Sequence, residues 1–178
     1  MNTPTICLLD DLCQQVAERL DISNAALKLW LSQATHWEEL QLIQCLHLML
    51  IHELNPFTQE ISLGQDSLDG EDALAWITMN GWYKIINAQP HFAGMSLREP
   101  QDQDALPTWL ECTIYRDDRV LPIVVREYFC EVQTHHPIWV SMPRRMLRHR
   151  TIQQCARLAF GISAPDIHPT KDAKKPVD

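Results

Sequence analysis

Apolar side chains recur at helical spacing through the first third of the chain. Residues 10–20 form one such stretch, and 23–35 a second that opens at Ser23 and Asn24 and carries Leu27, Trp30, Leu31 and Ala34. Trp30 is expected in the core. A third helix is predicted to open at Thr35, with Glu38 as capping-box partner three residues on and Leu42, Cys45, Leu46, Met49 and Leu50 on its buried side. It should end near Leu54, because Asn55-Pro56 disfavours continuation. Next, 57–63 reads as a short strand, 64–70 as a polar loop, and 73–78 as a second strand closed by Asn80-Gly81. Helical spacing returns at Trp82, Ile85 and Ile86 and stops at Pro90. β-Branched and aromatic residues then concentrate at 109–115 and 120–132 around a 116–119 turn, which predicts an antiparallel hairpin.

The last periodic segment has punctuation at both ends. Ser141 suits a cap, Pro143 the first turn, and Gly161 a left-handed C-terminal residue, giving a helix over 141–160. Leu147, Thr151, Ile152, Cys155, Leu158, Ala159 and Ile162 fall on one broad face that should bury. Three helices, a small antiparallel sheet with a hairpin, and a long basic C-terminal helix on its face make an α+β fold. The pattern implies one domain over 1–164, with helices at about 10–54, a sheet and helix core at about 55–162, and a flexible tail at 165–178.

Charge changes the picture. Between Val132 and Pro165 there is no Asp or Glu, and the predicted helix holds Arg144, Arg145, Arg148, Arg150 and Arg157. The formal net charge is −8, so the rest of the chain carries −13 without these five. An acidic body presenting one arginine helix suits an extended anion, and single-stranded nucleic acid fits best. Arg150 and Arg157 share a flank with Gln154 between them, and Arg145 points elsewhere. Arg144 and Arg148 continue the apolar face at its N-terminal end, so they must meet an acid or sit where the core opens onto a cleft. Arginines that are merely solvated, or that pair subunits in a head-to-tail scaffold without DNA, are the alternative reading.

Other chemistry finds little support. The glycines at 64 and 70 have phosphate-loop spacing, but the required Lys is Glu71. Cys45, His47 and His52 follow no common structural-zinc pattern, and no metal ligands are assigned. His149, inside the arginine helix, is either a phosphate neighbour or a satisfied structural histidine. The six cysteines contain no CxxC pair, which points to reduced thiols in a cytosolic compartment. The longest apolar run, 45–51, is far short of a membrane span. Nothing distinguishes a nucleophile or a carboxylate pair, so an enzyme is not expected.

Six runs of residues carry a resemblance. PRRMLRHR at 143–150 and QCARLAFG at 154–161 are preceded, in order, by LNPFTQEI at 54–61, NGWYKII at 80–86 with FAGM at 92–95, and CTIYRDDR at 112–119. Together they closely resemble the signature of the RecT and phage lambda Bet group of single-strand annealing proteins, nearer to the Bet side, across roughly 17–162. The resemblance implies a protein of phage-type homologous recombination that pairs complementary single strands without ATP or other cofactor, magnesium serving at most to screen the strands. It implies rings or helical filaments of a homo-oligomer, a small antiparallel sheet with helices, and a basic groove for single-stranded DNA and the annealed duplex. It also implies a cognate 5′-to-3′ exonuclease and a single-strand-binding protein as partners, and no membrane. Groove positions carry over as Arg144, Arg145, Arg150 and Arg157, with Arg148, Arg119 and Lys84 also matching. Three positions depart: Asn80 replaces an acid, Asp117 a basic residue at the hairpin turn, and Gln59 a lysine, all of which should alter strand binding. Aromatic stacking by Trp82 or Trp139 competes with simple core packing.

Overall fold

The structure is a computed structural model of the 178-residue chain and describes residues 3–35, 37–64, 75–100, 106–135 and 137–164, with the backbone alone for 3–7. Most of the loop expected at 64–70, the first part of the strand expected at 73–78 and the tail expected at 165–178 lie outside these residues. Two compact units emerge: the described part of Met1–Trp82 with Ala164, and Tyr83–Ser163. Among the described residues no helix is long and apolar enough to cross a membrane.

The first unit is built on α1 (Thr3–Leu20), α2 (Asn24–Leu31) and α3 (Glu39–His52). Helix α1 begins seven residues earlier than its apolar pattern suggests. Ser23 caps α2 as expected, its Oγ accepting from the Ala26 N–H at 3.3 Å, but the helix stops at Leu31 and leaves Trp30 only half-buried, with Leu27 and Leu31 forming the core contact. The capping box of α3 is displaced: Glu38 is the cap and Gln41 its partner, whose Oε1 accepts from the Glu38 N–H at 2.7 Å. Cys45, Leu46 and Met49 are fully buried, while Leu42 and Leu50 flank them half-buried.

The strand expected at 57–63 is mostly a 3-10 turn. Pro56 occupies the first position of Pro56–Thr58, and Asn55 Oδ1 accepts from the Phe57 N–H at 2.9 Å, which closes a local turn in place of a ladder. Only β1 (Ile61–Ser62) remains, paired antiparallel with β2 (Trp76–Ile77). Asn80-Gly81 does not close that strand as a turn. Thr78 Oγ1 accepts from the Gly81 N–H at 3.3 Å, and Asn80 and Gly81 lie in the first turn of α4 (Met79–Asn87). Glycine is required at 81 by close approach: a Cβ there would collide with the Glu60 carbonyl oxygen and stand 2.7 Å from Ile77 Cγ2.

The second unit is a three-stranded antiparallel sheet in the order β3 (Phe92–Arg98), β4 (Trp109–Arg116), β5 (Ile123–Tyr128). The hairpin of β4 and β5 was predicted, although β5 is shorter than 120–132 because Phe129–Val132 winds into a short helix, α5. Strand β3 and helix α6 (Pro137–Ser141) were not anticipated. Helix α7 (Pro143–Phe160) starts at Met142, with Ser141 still inside α6, and ends at Gly161 in the left-handed region at φ 67°. It packs on β4 and β5. Leu147 joins Leu110 and Trp139 in a buried cluster, Cys155 Sγ donates to the Cys112 carbonyl at 3.3 Å, and Phe160 meets Arg116, so α7 runs alongside β4 in the same direction.

Candidate nucleic-acid interface

Burial along α7 sorts its side chains differently from the sequence pattern. Leu147, Thr151, Ile152, Cys155 and Ala159 bury as expected, but Gln153 and Ala156 bury too, while Leu158 is 65% exposed. Neighbours therefore cover α7 over more than half its circumference. The strip left open carries Arg150, Gln154, Arg157 and Leu158, with Arg150 and Arg157 half-buried. With the Gln154 amide oriented so that its oxygen faces Arg150, that oxygen accepts from both Nη1 and Nη2 at 3.2 Å. One helical turn thus fixes a guanidinium on the helix flank.

The other three arginines lie in the first two turns. Arg144, Arg145 and Arg148 are all exposed, and Arg145 Nη1 approaches Met142 Sδ at 3.5 Å. Helical phase alone puts Arg144 and Arg148 on the core face. Arg144 escapes it because the core under α7 begins at Leu147, whereas Arg148 is exposed although it follows Leu147. The free N–H groups and positive dipole end of an 18-residue helix coincide with these cations. His149 records the local field: burial pushes its pKa below the usual imidazole value, and Arg145 and Arg148 push it further down.

The far end of α7 is held by Arg116. Its guanidinium grips Asp118 through Nε–Oδ1 at 2.8 Å and Nη2–Oδ2 at 2.6 Å, Nη1 donates to the Ala159 carbonyl, and the group lies 5.1 Å from the Phe160 ring centroid. Phe160 in turn packs edge-on against Phe92 at 6.2 Å. Asp118 is held below the usual carboxylate range chiefly by its bond to Arg116. The second acid of the hairpin turn also has a partner, since Asp117 Oδ1 lies 2.8 Å from His91 Nδ1. Arg119, next in the turn, is exposed. It follows Arg116, which contacts the C-terminal end of α7 at Ala159 and Phe160, and that end lies about 24 Å along the helix axis from Arg144 at 1.5 Å per residue. Lys84, in α4, is half-buried. The structure thus groups Arg144, Arg145 and Arg148, groups Arg150 with Arg157, and sets Arg119 apart.

Two aromatic candidates are core residues: Trp82 and Trp139 are each 2% exposed, the latter tilted against Phe129 at 6.0 Å. Trp109 holds the sheet position that the strand pattern gives it, and what the sequence does not report is its partner: Arg126 lies 4.2 Å from the ring centroid and bonds Glu111 at 2.9 Å. Among the described residues, His91, Asp117 and Asp118 are a group close enough to share an ion, and their bonds to one another and to Arg116 already occupy them. The thiols of Cys45 and Cys112 are buried and pushed upward, Cys45 to about 12 by desolvation and Cys112 most strongly by its hydrogen bond with Cys155, so these thiols stay protonated.

No protein-family model matches the chain. Comparison with curated proteins finds similarity to "Recombination protein bet" of Escherichia phage lambda, 38% identical over 121 residues, or 62% of this chain and 43% of that protein. The chain spans less than half the length of this relative. That relative is of the Bet side of the group that the runs in the sequence resemble.

Proposed function

We propose, taking kinship with Bet as the premise, that this chain is a recombination protein that pairs complementary single DNA strands. The observation that carries the reading is the arginine set of α7, five guanidinium groups with no acid between Val132 and Pro165, on a helix whose anchored face leaves them at its N-terminal end and along one flank. Annealing requires two polyanions to approach while their bases test complementarity. Contacts must therefore go to phosphate and sugar and leave the pairing edges open. Arginine suits this because its planar donors grip phosphate in pairs and its charge persists at every working pH.

The chain supplies a surface, with no bond-making step and no ATP. Arg144, Arg145 and Arg148 form the first grip, Arg150 and Arg157 a second, and Lys84 and Arg119 lie outside both. Five phosphate contacts per subunit give a single-strand salt slope of at most about −3.5. A homo-oligomer multiplies such contacts along the strand, so the annealed product outlives each precursor complex. Asp118 does not repel the strand strongly, because Arg116 already holds it. A 5′-to-3′ exonuclease would supply the single strands, and a single-strand-binding protein would compete for them.

The test adds two complementary oligonucleotides one after the other, without ATP, and follows protein-bound duplex by native gel and electron microscopy. A stable ternary complex that exceeds the complex with either strand is the expected result. Absence of that complex, or dependable cleavage of labelled DNA in magnesium, overturns the reading.

A further inference from the structure

Two apolar features of opposite shape lie outside the arginine helix. The turn between β4 and β5 carries Val120 at 98% exposure and Leu121 at 77%, beside exposed Arg119. The turn itself is fixed, since Arg116 clamps Asp118 and the Asp117 N–H donates to the His91 carbonyl at 3.2 Å. Two aliphatic side chains are thus held in water on a rigid convex tip. Along α3, within the first unit, runs a groove of about 420 Å³ whose apolar lining includes Cys45, Leu48, Ile51 and Ala75, with Gln44 and His47 as polar neighbours. Ile51 is 71% exposed, large for an isoleucine at a groove wall.

We infer that the hairpin tip of one copy, Val120 with Leu121, seats in the α3 groove of a second copy, as the head-to-tail contact of the assembly. The inference rests on the oligomer required by the proposed function and names its contact surfaces. Shape and chemistry match: the tip offers a small aliphatic knob, and the groove has room for both side chains. Charge matches as well. Residues 1–82 hold twelve acids against two basic residues, and both basic side chains are bound within the unit, Arg19 to Glu53 and Lys28 to Asp10. Arg119, on the tip, therefore approaches a field of its opposite sign. A knob on one surface and a socket on another make a heterologous contact, which repeats from copy to copy and closes into a ring or runs on as a filament. Because α7 takes no part in it, every copy in the array keeps its arginines for the strand.

The test mixes two full-length proteins, each in a Cys7→Ser, Cys130→Ser background, one carrying Val120→Cys and the other Leu48→Cys, and applies a short thiol cross-linker without DNA. A cross-linked pair on mixing, with little from either protein alone, is expected. The same contact predicts that Val120→Asp with Leu121→Asp reduces assembly at least tenfold in sedimentation while strand binding per monomer persists. No cross-link on mixing, or unchanged assembly in the double-aspartate protein, overturns the inference. So does a double-aspartate protein that assembles normally but loses strand binding, since the tip then belongs to the DNA interface. If the two cysteine proteins cross-link on mixing yet the unaltered chain never pairs strands, the tip contact survives and the annealing reading fails.

Discussion

The two units treat charge in opposite ways. Residues 1–82 hold twelve acids and two basic residues, whereas residues 83–163 hold eight acids and ten basic ones. In each, members of the minority sign are bound locally. Arg19 and Lys28 are tied to Glu53 and Asp10 in the first unit, while Glu111, Asp117 and Asp118 are tied to Arg126, His91 and Arg116 in the second. What each unit shows the solvent is therefore more strongly single-signed than its count suggests. The surplus cations of the second unit gather on one helix, which gives a polyanion a defined docking line. The surplus acids of the first unit suit a cationic protein surface and repel a nucleic-acid strand.

The sharpest way to break this comparison is to reverse the surplus where it is concentrated. Arg144→Glu, Arg145→Glu and Arg148→Glu together should weaken single-strand binding by about 100-fold or more near 0.1 M salt and flatten the salt slope by about 2, as expected for three lost phosphate contacts. Glu18→Gln with Asp21→Asn, in the first unit, should change binding by less than about threefold, because charges spread over a surface are largely screened at that ionic strength. Fluorescence anisotropy across a salt series reads both. Equal sensitivity in the two units would mean that net charge alone, not the α7 cluster, governs binding.

Packing offers the next contrast. Leu147 is fully buried at the start of the α7 core and Leu158, on the same helix, is 65% exposed. Leu147→Ala should cost about 2–5 kcal/mol in denaturant unfolding, and Leu158→Ala less than about 0.5. Leu27→Ala, in the first unit, removes an equally buried leucine and should cost a similar amount. Only the Leu147 change should also lower the strand affinity of the protein that remains folded, since it loosens the helix that presents the arginines.

What could be read from the sequence divides along physical lines. The ends of α7 were legible because Pro143 and Gly161 act through local backbone preference, and the arginine cluster was legible because it is a fact of composition. The outward turn of Leu158 was not, because Gln153 and Ala156 are buried by strands far away in sequence. Strand β3 was hidden by an irregular register between Phe92 and Gly94 and by a run, Met95-Ser96-Leu97, with little β-branching. Phe129–Val132 keeps strand-like residues yet winds into α5, where Phe129 and Val132 pack against the Leu110, Trp139 and Leu147 cluster. The capping box of α3 slid from Thr35 to Glu38 because Gln41, not Glu38, supplies the reciprocal acceptor. The hydrogen-bond partner of Asp117 is His91, 26 residues earlier, and no local pattern reports such a pair.

The smallest expected effect concerns His149, the one imidazole inside the cationic helix. Desolvation first, and then Arg145 and Arg148, hold its pKa below the ordinary value of 6.5. Folding therefore favours the neutral ring. Below 6.5 the unfolded chain binds a proton that the folded chain resists, so His149 lowers stability progressively as pH falls toward its folded pKa and has no such effect above 6.5. A bound phosphate beside Arg145 and Arg148 cancels part of the field that depresses the ring, and strand binding should then take up a fraction of a proton. Affinity should rise as pH drops from 7 toward 6 while stability falls, an opposition confined to the second unit and amounting to less than about tenfold. Following the His149 ring proton by NMR with and without a short oligonucleotide reads both pKa values. His149→Gln should remove this part of the pH dependence. A ring that titrates at or above 6.5 in the free protein would refute the depressing field, and one unmoved by the oligonucleotide would show that the phosphates lie elsewhere than at the first two turns of α7.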